Sequence, residues 1–171
     1  MKIVYQGSPG AYSHLAARKI YPNEDTLSCK TFEECFRICS ENNNHKTIIP
    51  VENSIAGRVA DIQYLINKYK LQIYAEHFES ITHNLMILPN SDMKKIKAVR
   101  SHSQAISQCQ KIIYDNNLEP IIAADTAGSA KYISENKVLS EAAIASELAA
   151  EIYNLKIIKK NIEDNKANVT R

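Results

Sequence analysis

Short apolar runs alternate with segments of helical period along almost the whole chain, and this alternation limits the folds open to it more than any other feature. Residues 3–5, 26–29, 47–51, 71–78, 81–88, 97–99, 120–123, 142–145 and 155–158 read as strands. Between them, residues 12–21, 32–40, 59–69, 104–114, 126–135 and 147–153 repeat apolar positions every three or four residues, as in Leu15, Ala16 and Ile20 or Ile62, Leu65 and Ile66. Strands separated by helices imply a mainly parallel α/β sheet. At 171 residues the chain is one large domain or two small lobes, long enough to bury a substantial core.

Polar residues gather just after several of these strands. Gly7-Ser8 follows the first, Glu52-Asn53-Ser54 the third, Ser101-His102-Ser103-Gln104 a later one, and Asp125-Thr126 another. In open α/β sheets ligands bind beyond the carboxyl ends of strands, so four such clusters point to one small-molecule pocket with neutral hydrogen-bonding walls. Two clusters precede residue 75 and two follow it, which suggests a cleft between two lobes. Each cluster also has a plainer reading. Gly7-Ser8-Pro9-Gly10 is an ordinary strand-to-helix turn or an anion site of backbone N–H groups. Asn53 or Ser54, and Ser101 or Ser103, are helix caps or ligands. His102 is of a residue type suited to acid/base work but belongs to no Ser-His-Asp or Cys-His arrangement, and His83, in mid-strand, reads as a hydrogen-bonded structural histidine.

Other function classes are excluded more simply. With 21 basic and 19 acidic residues the chain is too balanced to grip nucleic acid, and its lysine clusters at 94–97 and 156–160 read as solvated faces. The N-terminus opens as a strand, not as a signal peptide, and no apolar run approaches a membrane span, so a cytoplasmic location is expected. Cys29, Cys35, Cys39 and Cys109 form no CxxC pair, and Cys35 and Cys39, four apart on a helix, should face the core as small hydrophobes. No dinucleotide fingerprint, P-loop, HExxH or GxSxG occurs. Neither a metal nor a cofactor is expected.

Taken together, the polar clusters resemble the motif series of the prephenate dehydratase family, in the same order and at matching spacing. Tyr5-Gln6-Gly7-Ser8-Pro9-Gly10-Ala11-Tyr12-Ser13 is similar to its opening motif, and Pro50-Val51-Glu52-Asn53-Ser54-Ile55-Ala56-Gly57-Arg58-Val59 to its most recognisable stretch. Ile81-Thr82-His83-Asn84-Leu85, Ser101-His102-Ser103-Gln104-Ala105 with Gln108-Cys109, Asp125-Thr126-Ala127, and the segments at 142–146 and 149–155 follow. Ser103 stands where the family usually has Pro, and Asp125 where it usually has Ser. Asn168-Val169-Thr170-Arg171 looks like the start of an Asn-x-Thr-Arg-Phe signature. The Phe of that signature and the family's C-terminal regulatory domain have no counterpart here, so the chain reads as a fragment or the ordered part of a longer protein.

The resemblance implies a two-lobed fold of the periplasmic-binding-protein type (type II), with the active-site cleft between lobes. The first lobe would hold residues 1–76 plus 161–171 and the second residues 77–160, with crossings near 76–80 and 159–163. It implies conversion of prephenate to phenylpyruvate without cofactor, on the route to phenylalanine. Thr170 would be the donor to the leaving hydroxyl, with Glu52 and Asn53 also catalytic. Ser54, Ser101, Gln104, Gln108 and Thr126 would bind substrate. Neutral donors suit such a wall, because a cation gripping the departing carboxylate would oppose loss of CO₂. Arg171 would bridge the retained carboxylate or serve a fixed structural partner. Prephenate is the expected small-molecule partner, and a homo-oligomer, dimer or tetramer, is expected. Arogenate dehydratase, a non-catalytic binding protein of the same fold and a catalytically dead regulatory fragment are the competing readings.

Overall fold

A computed structural model describes residues 1–171. The chain divides into two compact units. The first comprises residues 1–8, 12–81 and 167–171, the second residues 9–11 and 82–166. The principal divisions thus fall at Ile81/Thr82 and Lys166/Ala167.

The first unit starts with β1 (Lys2–Gln6), α1 (Tyr12–Ile20), β2 (Asp25–Cys29), α2 (Phe32–Glu41) and β3 (Lys46–Ile48). β1 lies between β2 and β3, and both pairings are parallel. Its centre, Ile3-Val4-Tyr5, is buried on both faces, which is why it reads as an unbroken apolar run. α2 is nucleated locally. Thr31 accepts from the backbone N–H of Glu34 at 3.1 Å, while the Glu34 carboxylate reaches back to the N–H of Lys30 at 2.9 Å, a variant of the capping box. The helix turns Cys35, Phe36 and Cys39 inward, and Cys35 and Cys39 pack with Val4 and Cys29. Burial pushes the Cys39 thiol up to about 11 and Cys35 further in the same direction, so both act as uncharged core residues.

The chain continues through β4 (Glu52–Asn53), β5 (Gly57–Arg58), α3 (Ile62–Tyr69) and β6 (Glu79–Ser80). Two expectations from periodicity change here. The helix expected from residue 59 starts at Ile62, because Gly57, at φ +83°, turns the chain into a β4–β5 hairpin first. Residues 71–78, read as a strand, form no ladder, and Ile73, Tyr74 and Phe78 stand 70%, 64% and 59% exposed. Alternation makes a strand only where a neighbouring backbone is available to pair, and here the sheet begins at Glu79.

The second unit holds β7 (Asn84–Ile87), a 3₁₀ turn at Met93–Lys95, β8 (Ala98–His102), α4 (Ser103–Ser107), α5 (Gln110–Asp115), β9 (Glu119–Ala123), α6 (Thr126–Glu135), β10 (Glu141–Ala145), α7 (Glu147–Ile152) and β11 (Lys156–Lys159). Its five strands run in the order β11-β7-β10-β8-β9. β8, β9 and β10 are parallel, but β7 is antiparallel to both its neighbours, so the sheet is mixed where a mainly parallel one was expected. Both faces are covered. Ala142 and Ile144 of β10 enter one core with Leu85, Val99 and Ile112, and Ala143 and Ala145 enter the other with Met86, Ala130 and Ile133. The single helix expected over 104–114 is two, broken at Cys109. The break is stabilised from far along the chain, where Asp164 accepts from the N–H groups of Gln110 (2.8 Å) and Lys111 (3.3 Å) and so caps α5.

From the second unit the chain returns to the first as β12 (Val169–Thr170). β12 lies between β4 and β6 in a four-stranded antiparallel sheet ordered β5-β4-β12-β6. No helix is long and apolar enough to cross a membrane.

Within the second unit, Gly10 fits tightly against α7. Its carbonyl accepts from Ser146 Oγ at 2.5 Å, its φ is +93°, and an added Cβ would meet Ala149 Cα at 2.7 Å and Cβ at 2.9 Å. A Cβ at Gly57 would meet open space. Gly10→Ala is therefore expected to cost about 2–4 kcal/mol, backbone strain plus overpacking, and Gly57→Ala only the strain, about 1–2 kcal/mol. Chemical denaturation of the two variants side by side measures the difference, and equal losses would contradict this account.

Candidate active site

The four-stranded sheet of the first unit brings together residues that the sequence places 117 positions apart. Thr170 pairs directly with Asn53 on one side and with Glu79 on the other. The backbone ladder around it is continuous. Arg171 N–H donates to Glu52 O (2.9 Å), Val51 N–H to Arg171 O (2.7 Å), Ser54 N–H to Val169 O (2.8 Å) and Ile81 N–H to Asn168 O (2.8 Å).

Asn53 organises this region. Its Oδ1 accepts from the N–H groups of Ile55 (3.0 Å) and Ala56 (2.8 Å), closing the turn that follows β4. Only the amide oxygen can accept there, so the NH₂ end is directed to β12. It donates to Asn168 Oδ1 at 2.8 Å, Val169 O at 3.3 Å and Thr170 Oγ1 at 2.9 Å. The Thr170 hydroxyl thus accepts from Asn53 while no protein acceptor takes its own proton. That is the polarity a hydrogen-bond donor to an external leaving group requires. Asn168, 1% exposed, is the functional neighbour to which sequence reasoning assigned no role. The one signal for it was its place beside Thr170.

The other expected residues fall in different settings. Ser54 donates to Ala167 O (2.7 Å) and accepts from Val169 N–H (2.9 Å), so its hydroxyl binds β12 to the hairpin. Arg171 meets Glu52 at 3.4 Å and Glu76 at 3.9 Å, half-exposed pairs that contribute about 0–1 kcal/mol. Arg171 and Val169 line a cavity of about 340 Å³ with Glu52, Asn53, Ser54, Gly57, Arg58 and Phe78. Thr170 lies between these two residues on the strand and projects from the other face.

Ser101, Gln104, Gln108 and Thr126 lie in the second unit. Ser101 is fully buried and its hydroxyl donates to Ile144 O at 2.7 Å, which ties β8 to β10. His102 caps α4 through Nδ1, which accepts from Gln104 N–H at 3.3 Å, and the Gln104 side chain is exposed. Thr126 opens α6 behind the Asp125 cap. Gln108 Oε1 accepts from His83 Nε2 at 2.9 Å, so the neutral imidazole carries its proton on Nε2. His83 is 3% exposed, and burial pushes its pKa below the usual histidine value. No three histidine, cysteine, aspartate or glutamate side chains converge as metal ligands.

Comparison with known proteins bears on this arrangement as a whole. A family model described as prephenate dehydratase matches residues 3–171. The chain belongs to the prephenate dehydratase family. It is 38% identical over 169 residues to a protein of Komagataeibacter europaeus named as a bifunctional N-acyl-homoserine lactone acylase/prephenate dehydratase, covering 99% of this chain and 60% of that protein. It is 38% identical over 173 residues to arogenate dehydratase 1 of Petunia hybrida, covering 100% of this chain and 41% of the relative. The fold matches the crystal structure of prephenate dehydratase from Arthrobacter aurescens, solved with L-Phe, with a TM-score of 0.91 at 24% identity over 99% of this chain and 58% of that one. The chain thus spans about two fifths to three fifths of the length of these dehydratase relatives.

Two outcomes follow from this arrangement. Asn53→Asp keeps both acceptor contacts but loses three donor contacts to β12, so it should lower stability by about 1–3 kcal/mol. Hydrogen exchange should then rise at Thr170 and Arg171 N–H, and unchanged protection would refute the role given to Asn53. The second concerns pH. His83 and His14 both have folded-state pKa values lowered, chiefly by burial. The unfolded chain therefore binds more protons below about pH 6.5, so their contribution is complete above that value and is lost as pH falls through the folded-state values. Denaturation midpoints should drop between about pH 7.5 and 5.5, and His83→Gln should flatten that drop.

Proposed function

We propose that this protein acts as a dehydratase on prephenate and releases phenylpyruvate, CO₂ and water. One C–C bond breaks as the ring carboxylate departs, its electron pair enters the ring, and the ring C–O bond breaks as hydroxide takes up a proton. Aromatisation drives the reaction, so no electron sink is needed. What the protein must supply is a donor at the leaving oxygen and walls that do not hold the departing carboxylate.

The observation that carries this reading is the Thr170 hydroxyl, oriented by the Asn53 amide with its proton uncommitted. A threonine is a weak acid at its ordinary pKa, and its effect is that of a fixed donor whose hydrogen bond strengthens as charge builds on the leaving oxygen. Because Asn53 is itself locked by Ile55 and Ala56, the donor is set before substrate arrives. Glu52 takes part from the neighbouring backbone position, where its carbonyl accepts from Arg171 N–H.

The second reading, arogenate as substrate, is favoured by the name of the Petunia relative. It uses the same chemistry at the ring and differs only in the side arm. Thr170→Ala should lower kcat by about 10²–10⁴-fold with little change in KM, and Thr170→Ser should recover part of it. Phenylpyruvate or phenylalanine formation reports each substrate directly. An Ala variant with wild-type turnover would remove Thr170 from the mechanism.

A further inference from the structure

The strand row that holds Thr170 also holds a buried charge. Glu79 lies directly opposite Thr170 on β6, as Asn53 does on β4. Residues so paired project from the same sheet face with Cβ atoms about 4.5–5.5 Å apart. Glu79 is 6% exposed, and both its oxygens are engaged, Oε1 by Lys19 Nζ and Oε2 by His77 Nε2 at 3.0 Å. Lys19 comes from the last turn of α1, and its side chain stays 52% exposed.

This is an unusual neighbour for a hydroxyl that must help hydroxide leave. A bare buried carboxylate one strand away would raise the cost of negative charge on the leaving oxygen. Lys19 balances that charge, and His77 donates a hydrogen bond to the other oxygen. Lys19 has three N–H donors, of which the contact with Glu79 uses one, and the rest of the ammonium is open to solvent. The row therefore places a lysine-paired carboxylate next to Thr170, and the ammonium that pairs it keeps donors open to solvent.

We propose that the Lys19–Glu79 pair selects the side arm of the substrate, favouring an α-keto carboxylate over an α-amino carboxylate. The inference rests on the dehydratase reading and on a substrate ring placed at Thr170. The two candidate substrates share ring and leaving group. They differ at one carbon, which bears an acceptor oxygen in prephenate and a donating ammonium in arogenate. The free donors of Lys19 suit the keto oxygen and its carboxylate and repel an ammonium. Without Lys19, Glu79 would face the arm with an unsatisfied charge, the partner an ammonium needs. The acidic residue that could bind an amino acid is present but held by a lysine of the same unit.

The test is the ratio of kcat/KM for arogenate to that for prephenate, in the wild type and four variants. Lys19→Met should raise the ratio roughly tenfold or more, the scale of one charge-assisted hydrogen bond, chiefly through KM. Lys19→Arg, which keeps the cation, should leave it near the wild-type value. Glu79→Gln, which leaves Lys19 unpaired, should lower it, and Lys19→Met/Glu79→Gln should lose the gain of the single variant. The opposite directions of the two single changes separate selection from general damage to the fold. If the wild type turns over prephenate or arogenate and the Lys19→Met and Glu79→Gln ratios stay within about threefold of it, the inference is overturned while the dehydratase reading stands. If the wild type turns over neither compound, the dehydratase reading falls and this inference falls with it.

Discussion

The carboxamide of Asn53 joins two stretches of chain that would otherwise have no reason to meet. Its oxygen closes the turn after β4, and its nitrogen holds Asn168, Val169 and Thr170 on β12. Each of these bonds is worth only about 1 kcal/mol net, but losing the donor would leave partly buried acceptors unsatisfied, which costs more. Within a sheet whose strands are paired through their backbones, this one side chain fixes the position of the Thr170 hydroxyl. Aspartate, of almost the same shape, could not do it, because the site needs a donor and an acceptor on the same planar group.

Charge is handled differently from hydrogen bonding in the first unit. Asn53, nearest Thr170 on the β4 side, is neutral, whereas on the β6 side a buried carboxylate is balanced by Lys19 and hydrogen-bonded by His77. For the proposed reaction, a neutral wall suits the release of CO₂, and a balanced ion pair next to it would add selectivity without a net charge at the leaving oxygen. The Glu52–Arg171 pair is more exposed than this cluster, and the solvent around it screens its effect.

The alternation of strands and helices was legible, and most elements start and stop within a few residues of where periodicity puts them. The mainly parallel direction was only half right. The three strands around β1 are parallel, but β7 runs against β10 and the sheet that carries Thr170 is wholly antiparallel. Periodicity reports which face of a segment is buried and carries nothing about the direction of its neighbour. The strand expected over 71–78 failed for a related reason, since apolar alternation was present and a pairing partner was not. The helix break at Cys109 depends on Asp164, more than fifty residues away, and no local signal announces it. Of the residues expected to form a site, Thr170, Asn53 and Glu52 lie together where β12 pairs with β4. Ser54 and Ser101 read equally well as caps or ligands, and both hydroxyls are engaged with backbone carbonyls.

By itself, the sequence determined the class of fold, the family, and the small set of neutral side chains from which a site could be built. Motif spacing carries that information because residues beyond strand ends recur in order along the chain. Only the tertiary structure decided which of those side chains keep a proton to donate. That depends on which partners have taken their lone pairs, a property of contacts between segments far apart in the chain. The same holds for Glu79. In the sequence it sits between Phe78 and Ser80 in an unremarkable polar stretch. Its place opposite Thr170, with Lys19 and His77 on its oxygens, exists only once β12 has paired with β6.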